Sequence, residues 1–371
     1  IITTKRGSRN ARMSVIVNSS TRFEKISRLP DYQNEYAQGT GGEYAVKALT
    51  GWGPNIAESR AAGTKYVNFA GEETLLEAYP DNVKDFFETG TTYINNIALS
   101  GGNQTTDFHA GISSFNQKGI IPGSDYNRYT FSVNAGTDLV KGLLARFTVQ
   151  YIRNDSKGRS AQGINDVNGL MSIVYLLPRT MDIHYLKNNW IQDNGEQKPM
   201  APETKINNPY WLTHKNQFTG SLDRLVGNVL LNYSPLEGLT ISNNFGMDYY
   251  SEARRKIYAK GTIGELNGKF QDVGNANRLI NNDLIVTYEK SWNDFTFKSI
   301  AGHNLQQDEW SSNTVLASGL IVEDLYNYAN AEQTSSTNYF QRKRLTGIYF
   351  DLGIGYKSIA FLNVTGRNDW S

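Results

Sequence analysis

The side chains that could do chemistry are few, and their spacing does not suit catalysis. The four histidines, His109, His184, His214 and His303, are scattered, and none falls in the His-Glu-x-x-His frame that sets two imidazoles on one helix face for zinc. Cysteine is absent, which excludes disulfide frameworks, thiolate metal sites and cysteine nucleophiles. No Gly-x-Ser-x-Gly elbow or phosphate-binding Gly-Lys loop occurs; the "GTGG" at Gly39–Gly42 reads as a flexible loop, and Glu72–Glu73 as a solvated helix start. No catalytic residue, metal site or cofactor is therefore expected. What remains is recognition. Trp52, Trp190, Tyr210 and Trp211 lie in long polar excursions. Aromatic faces there can stack on sugar rings, grip peptide backbones or meet a partner subunit, or they can simply fold the loops. Arg146, Gln150 and Asn228 fall on the polar side of alternating segments, where they would line a solute path or serve as solvated wall. The basic run Arg254–Lys256 is expected beyond a strand end, near headgroups or solvent.

The elements that must carry these residues are strands. In "RYTFSVNAGTDLVKGLLARFTVQYIRND", residues 128–155, Tyr129, Phe131, Val133 and Ala135 take one face and Thr130, Ser132, Asn134 and Gly136 the other. After a short turn, Ala145, Phe147, Val149 and Tyr151 oppose Arg146, Thr148 and Gln150. Period-two alternation gives each arm one apolar and one polar side. The arms approach the roughly 9–11 residues that a tilted strand needs to cross a bilayer. A soluble antiparallel sheet with one wetted face gives the same alternation, so the hairpin does not decide between them.

Composition narrows the classes. The chain has 371 residues, with 37 basic and 36 acidic side chains, so no basic excess exists to hold a nucleic-acid backbone. Hydrophobic content is 39%, and no apolar run approaches the length of a membrane-spanning helix; a transmembrane barrel is still allowed, because only alternate residues face lipid. The 22 Tyr, 16 Phe and 34 Gly, against 9 Pro, suit many strands and turns. The opening "IITTKRG" and the closing "LNVTGRNDWS" read as interrupted strands, so the chain is expected to be an internal piece of something longer.

Along the chain about eleven strands are expected. Short junctions ("VKGL", "PLEG", "SWND", "YKSI") alternate with long excursions over residues 24–91, 156–216 and 308–340. Two helices are expected in the first excursion, the second being "DNVKDFFETG" between an Asp81 cap and Gly90. An amphipathic stretch, "INDVNGLMSIVYLLP", is expected in the second excursion, ended by Pro178. Tight turns on one side and long loops on the other are what transmembrane barrels show. Tyr129, Tyr151, Tyr233, Tyr249, Tyr288 and Tyr356 sit near strand ends, where interfacial girdles would lie. Pattern alone leaves a membrane barrel beside a soluble β-sandwich, propeller or multi-domain β-protein.

Specific stretches add a resemblance. "ITTKRG", then "DNVKDFFETGTTYINNIALSGGNQTTDFHAGISSFNQKGIIPGSDYNRYTFSVN", then "DRLVGNVLLNYSPLEGLTISNNFGMDYYSE", and finally "NVTGRNDWS" resemble, in this order, the SusC/RagA family of TonB-dependent outer-membrane transporters. The resemblance implies an all-β chain, part of a 22-stranded plugged transmembrane antiparallel β-barrel with long extracellular loops. Residues 1–11 would end the plug domain and residues 12–371 would form the N-terminal half of the barrel. It further implies TonB-dependent import of oligomeric nutrients, glycans ahead of peptides, across the outer membrane of a Bacteroidetes-type cell. The implied partners are a SusD-like lipoprotein lid, the TonB-ExbB-ExbD complex reached through the missing N-terminal part, outer-membrane lipid, and an oligosaccharide or peptide. Phe131, Val133, Phe147, Val149, Phe350 and Ile354 should then face lipid, and Thr130, Ser132, Thr148 and Asn228 the lumen. The alternative is a soluble extracellular β-rich binding or adhesion protein.

Overall fold

The computed structural model describes residues 6–159, 169–201, 204–357 and 359–371. Its frame is one antiparallel sheet of eleven strands in sequence order: β1 (Ser14–Glu24), β2 (Gly90–Gly102), β3 (Thr106–Lys118), β4 (Asp125–Val140), β5 (Leu143–Lys157), β6 (Phe218–Leu236), β7 (Leu239–Tyr258), β8 (Lys269–Trp292), β9 (Phe295–Leu320), β10 (Ala331–Tyr356) and β11 (Ala360–Trp370). Each strand pairs with its neighbour in sequence, so every second connection falls at the same end. Residues 103–105, 141–142, 237–238 and 293–294 close that end tightly, as does the step from β10 to β11, whereas residues 25–89, 119–124, 158–159, 169–201, 204–217, 259–268 and 321–330 lie at the other. Turns this tight need a left-handed residue. Gly238 has φ +81°, and a Cβ there would come within 2.1 Å of the Glu289 carbonyl oxygen, so only glycine fits.

Residues opposite one another in a ladder share a face, so the register fixes the sides of the sheet. Phe131 pairs with Tyr151, Val133 with Val149, Phe147 with Val229 and Val229 with Phe245, all on one face. Ala301–Phe350 and Phe297–Ile354 continue that face. Ser132–Gln150, Asn134–Thr148 and Thr148–Asn228 lie on the other. The two expected sets are therefore unmixed across β4 to β10.

The apolar face is the exposed one. Phe131 and Phe147 are each 44% exposed, Ile348 56% and Phe350 51%. A soluble sheet would bury such residues against a second layer. Here the buried apolar side chains lie in connections and at strand tips: Phe86, Leu170, Val174, Met181, Ile183, Tyr210 and Trp211 form one cluster, and Phe270, Ala317 and Leu320 another. Among the described residues no helix is long and apolar enough to cross a membrane.

Several sequence expectations change. Arg254–Lys256 lies within β7 instead of beyond a strand end, and Glu73 opens a short strand, Glu73–Leu75, instead of a helix. The stretch from Asp81 to Gly90 is a single 3-10 turn, Lys84–Phe86, because Val83 and Phe86 both enter the loop core and Phe87 is already extended (φ −82°, ψ 141°) on its way into β2. The amphipathic stretch contains a short helix, Leu170–Tyr175, while its residues 164–168 lie outside the described residues. The excursion over residues 308–340 shrinks to residues 321–330: β9 and β10 each run 26 residues, roughly 85 Å of strand, well past a bilayer. Much of the extra length, residues 332–338 above all, is polar on both faces, so hydrophobic alternation is lost there.

If the exposed apolar face meets hydrocarbon, Val149→Arg costs about 2–4 kcal/mol near mid-depth, while Gln150→Arg, one residue along and facing the other way, costs under about 1 kcal/mol. Denaturant titration of the full-length protein refolded into phospholipid vesicles measures both; equal costs would mean that the faces are misassigned.

Candidate functional site

The polar face and the folded connections above it are where recognition can occur. The register brings Arg146 opposite Gly136, with Asp107 one strand further along on the same face. The guanidinium forks onto Asp107, Nη2 to Oδ1 at 2.7 Å and Nη1 to Oδ2 at 2.9 Å, and Nη1 also donates to Asn134 Oδ1 at 2.9 Å. Glycine at 136 leaves the space: a Cβ there would meet the guanidinium at 2.3 Å. The Asp107 side chain is 4% exposed and that of Arg146 12%. Arg9, ahead of β1, reaches the same cluster: it donates two bonds of 2.6 and 2.7 Å to Asp138, and its Nε lies 3.9 Å from Asp107. Arg146 thus lies on the expected face but is locked into the wall.

Gln150 is exposed on that face, and Asn228 donates to Asn244 at 3.0 Å. Beyond them the polar face holds a ladder that the sequence reading did not single out. Asn281 donates to Asp283 at 2.7 Å, Asn304 to Asp283 at 2.5 Å, Asn277 to Asp308 at 2.7 Å, and Arg224 to Asp248 at 2.8 and 2.5 Å. The signal was present in "NNDLIV" and "HNLQQDEW", where Asn281 and Asp283, then Asn304, Gln306 and Asp308, place amides and carboxylates at every second position. Near the tight-turn end, Glu289, Lys298, Asp351 and Asn363 line a trough of about 1110 Å³ on this face.

The long connections build a cap with its own core. Four one-and-a-half-turn helices are present: α1 (Ile56–Ala61), α2 (Leu170–Tyr175), α3 (Ile183–Asn188) and α4 (Pro209–His214). In α4 the Asn208 side chain accepts from the Tyr210 amide at 2.9 Å, and Pro209 stands at the first helical position, where its missing N–H costs nothing. This start drives Tyr210 and Trp211 inward. Trp211 is fully buried, donates from Nε1 to Thr262 Oγ1 at 2.9 Å, and lies 6.1 Å from Trp190. Tyr210, 1% exposed, packs 5.5 Å from Phe86; burial, and then Glu88 and Asp85, push its phenol pKa well above the usual tyrosine value.

These placements correct part of the site expected from sequence. Tyr210 and Trp211 have no open face for a solute or a partner; they hold the cap together. Trp190 is half-buried and stacks on His214 at 4.7 Å and 14°. Trp52 is 73% exposed, on a loop tied by bonds from the Trp52 amide to Gly39 (3.2 Å), from Gly42 to Trp52 (2.9 Å) and from Gly53 to Ala37 (3.0 Å). Of the four aromatics it alone offers a free ring on a fixed support.

His184 lies 3.4 Å from Asp85, and His303 sits on the apolar face, bonded to Thr346 at 3.0 Å. Among the described residues no three His, Asp or Glu side chains converge as a metal site.

No protein-family model matches the chain. A TonB-dependent receptor of Formosa agariphila is 24% identical over 289 residues, spanning 74% of this chain and 26% of its own length. The TonB-dependent receptor SusC of Bacteroides thetaiotaomicron is 24% identical over 315 residues, spanning 80% of this chain and 29% of its own length. The RagAB peptide importer in its open-open state superposes on 99% of this chain and 42% of that one, with TM-score 0.73 and 18% identity; its closed-closed state gives 0.71 and 16%. The chain is thus similar in sequence to TonB-dependent receptors that include SusC, and shares with the RagAB structures the fold of an antiparallel barrel wall. It spans less than a third of the curated relatives it matches.

Arg146→Ala would strand a carboxylate that is 4% exposed, a loss of about 3–5 kcal/mol in unfolding of the full-length protein, against under about 0.5 kcal/mol for Gln150→Ala. Trp211→Ala would cost the cap about 3–5 kcal/mol, read as new proteolysis within residues 170–215 while the strands stay protected.

Proposed function

We propose that this chain is part of a TonB-dependent outer-membrane importer of oligomeric nutrients. In this reading the chain supplies a gated path and performs no covalent chemistry. The observation that carries the reading is an eleven-strand register with its apolar side exposed and its polar side bonded into ladders, every long connection lying at one end. Water on both faces would leave the apolar side uncovered; hydrocarbon outside and a solute path inside account for both. The long connections then face the cell exterior and the tight turns the periplasm.

On this reading residues 1–11 close a plug, of which residues 1–5 lie outside the described residues, and residues 12–371 form the first half of the wall. Arg9 on Asp138, beside the Asp107–Arg146 pair, ties that junction to the barrel. Gln150 and Asn228 line the path. A SusD-like surface lipoprotein closes over the cap, with Trp52, and Trp190 behind it, as the contacts to that lid or to the solute. Energy comes from TonB-ExbB-ExbD through parts of the protein outside this chain. Glycans are the substrate we favour; peptides are the second reading, supported by the RagAB importer among the structures of the same fold.

The assignment is tested in cells carrying the full-length gene. The protein should fractionate with detergent-extracted outer membrane, take label from outside at Gly195 but not at Lys141, and be required for growth on one class of oligomer. Recovery in the aqueous fraction would instead support a soluble β-rich binding protein. Trp52→Ala should weaken lid association by about 2 kcal/mol or more if the ring is an interface anchor. Unchanged association and uptake would remove Trp52 and leave the importer standing.

A further inference from the structure

On the polar face of β9, toward the loop side, one large ring stands in the open. Trp310 lies opposite Asn277 of β8 and Gln341 of β10, and Asn277 lies opposite Tyr250 of β7. The four side chains form one row on the face that carries Asp248, Asn281 and Asp308. Trp310 is 37% exposed and meets Tyr339, 46% exposed, at 5.0 Å between ring centres and 54° between planes. β9 is paired on both sides along this stretch, with β8 and with β10, so the opening over Trp310 is not that of a sheet edge. Asn277 donates to Asp308 Oδ1 at 2.7 Å, and among the described residues its own side-chain carbonyl has no partner.

Position and neighbours decide what this ring can meet. Gln341 lies seven residues up β10 from Ile348. At ordinary strand rise and tilt that is roughly 15–20 Å higher, so Trp310 stands above the apolar band and on the inner side of the wall. It cannot belong to an interfacial girdle, which faces lipid. An extended peptide is captured by adding a strand at a free sheet edge, but here the backbones of β8 and β9 are already paired on both sides. What is on offer is a set of side chains: ring faces, an amide and a carboxylate. A pyranose matches that set, with C–H groups on its faces and hydroxyls around its rim. Net charge is not on offer, since Arg224, opposite Tyr250, is forked onto Asp248, and Lys343 stands opposite Asp308. Trp310 and Tyr250 are two strands apart, about 10 Å, roughly a disaccharide's length.

We propose that Trp310 is a stacking platform for a neutral pyranose oligosaccharide, with Tyr250 as a second ring along the same row and Asn277 and Asp308 bonding the hydroxyls between them. The inference rests on the importer reading and deepens it: it puts a sugar subsite on the upper wall of β7 to β9, away from the cap and its aromatics.

The test uses the full-length protein in neutral detergent, with maltohexaose, laminarihexaose, xylohexaose and mannohexaose as sugar probes and uncharged octapeptides as the rival. Calorimetry reads affinity, and tryptophan fluorescence reads the site. At least one sugar should bind, and Trp310→Ala should weaken it about tenfold or more, as loss of a stacked ring does. Trp310→Phe, which keeps a ring, should bind within about threefold of the unmodified protein but lose the sugar-induced fluorescence change. Trp292→Ala, which removes an exposed ring at the tight-turn end, should alter neither. Binding of none of the sugars, full affinity in Trp310→Ala, or a fluorescence change that survives in Trp310→Phe overturns the proposal. So does Trp310-dependent binding of the peptides alone, which would make peptide the ligand. Should Trp310→Ala misfold, the fluorescence of Trp310→Phe decides. Recovery of the protein outside the membrane fraction would defeat the importer reading while Trp310-dependent sugar binding stood, whereas membrane partition without Trp310-dependent binding would defeat only the site.

Discussion

Every backbone amide and carbonyl in a hydrocarbon layer must find its partner inside the protein, because no water is there to replace it. On the proposed reading, the wall of this structure follows from that demand. It explains why the ladder runs without interruption from β1 to β11, and why the strands follow one another in sequence order, since neighbouring strands joined by tight turns leave the fewest unpaired groups. It also explains why the turns that close the lower end are made of residues able to take a left-handed backbone, such as Gly142, Gly238 and Asn293. Side chains are then free to differ on the two faces, since the sheet does not depend on them for its existence.

The folding free energy is accordingly divided. The wall is held by its ladders and by paired polar side chains, such as Arg146 between Asp107 and Asn134, while its larger apolar residues remain exposed. The cap is held in the opposite way, by a conventional core in which Phe86, Leu170, Met181, Tyr210 and Trp211 are buried and the polar groups of Gln197, Asn207, Asn208 and Asn216 are bonded internally. Residues 25–89 and 158–217 are far apart in sequence yet share this core, through Phe86 against Tyr210 and Asn82 bonded to the Pro178 and Met181 carbonyls. The cap is therefore one small globular body standing on the sheet. A loosened cap and a loosened wall would fail by different routes.

This division decides what was legible in the sequence. Alternation is a local signal, so the strands, their faces and the tight turns could be read from segments such as residues 128–155. The signal fails where both faces of a strand are polar, and the upper parts of β9 and β10, over residues 308–340, looked like loop. A short helix was expected at Asp81 from its cap, but the pull of Val83 and Phe86 into a core built mainly by residues 170–212 stops it after one turn. Tyr210 and Trp211 looked like recognition residues because an aromatic in a polar excursion reads the same buried or bare. Arg146 could be placed on a face, yet its partner Asp107 stands 39 residues earlier, two strands away. No local pattern announces that pairing.

The arginines show how far surroundings, rather than residue type, set a role. Arg146 is enclosed, meets a carboxylate in a matched fork, and has a glycine opposite to make room; all its charge is spent on holding strands together. Arg224 does the same, with Asp248, on the open side of the polar face. Arg342 stands on the other face, where its Nε donates to Glu309 at 2.6 Å, and Arg344 beside it meets only the dipole of a neutral Gln307 among the described residues.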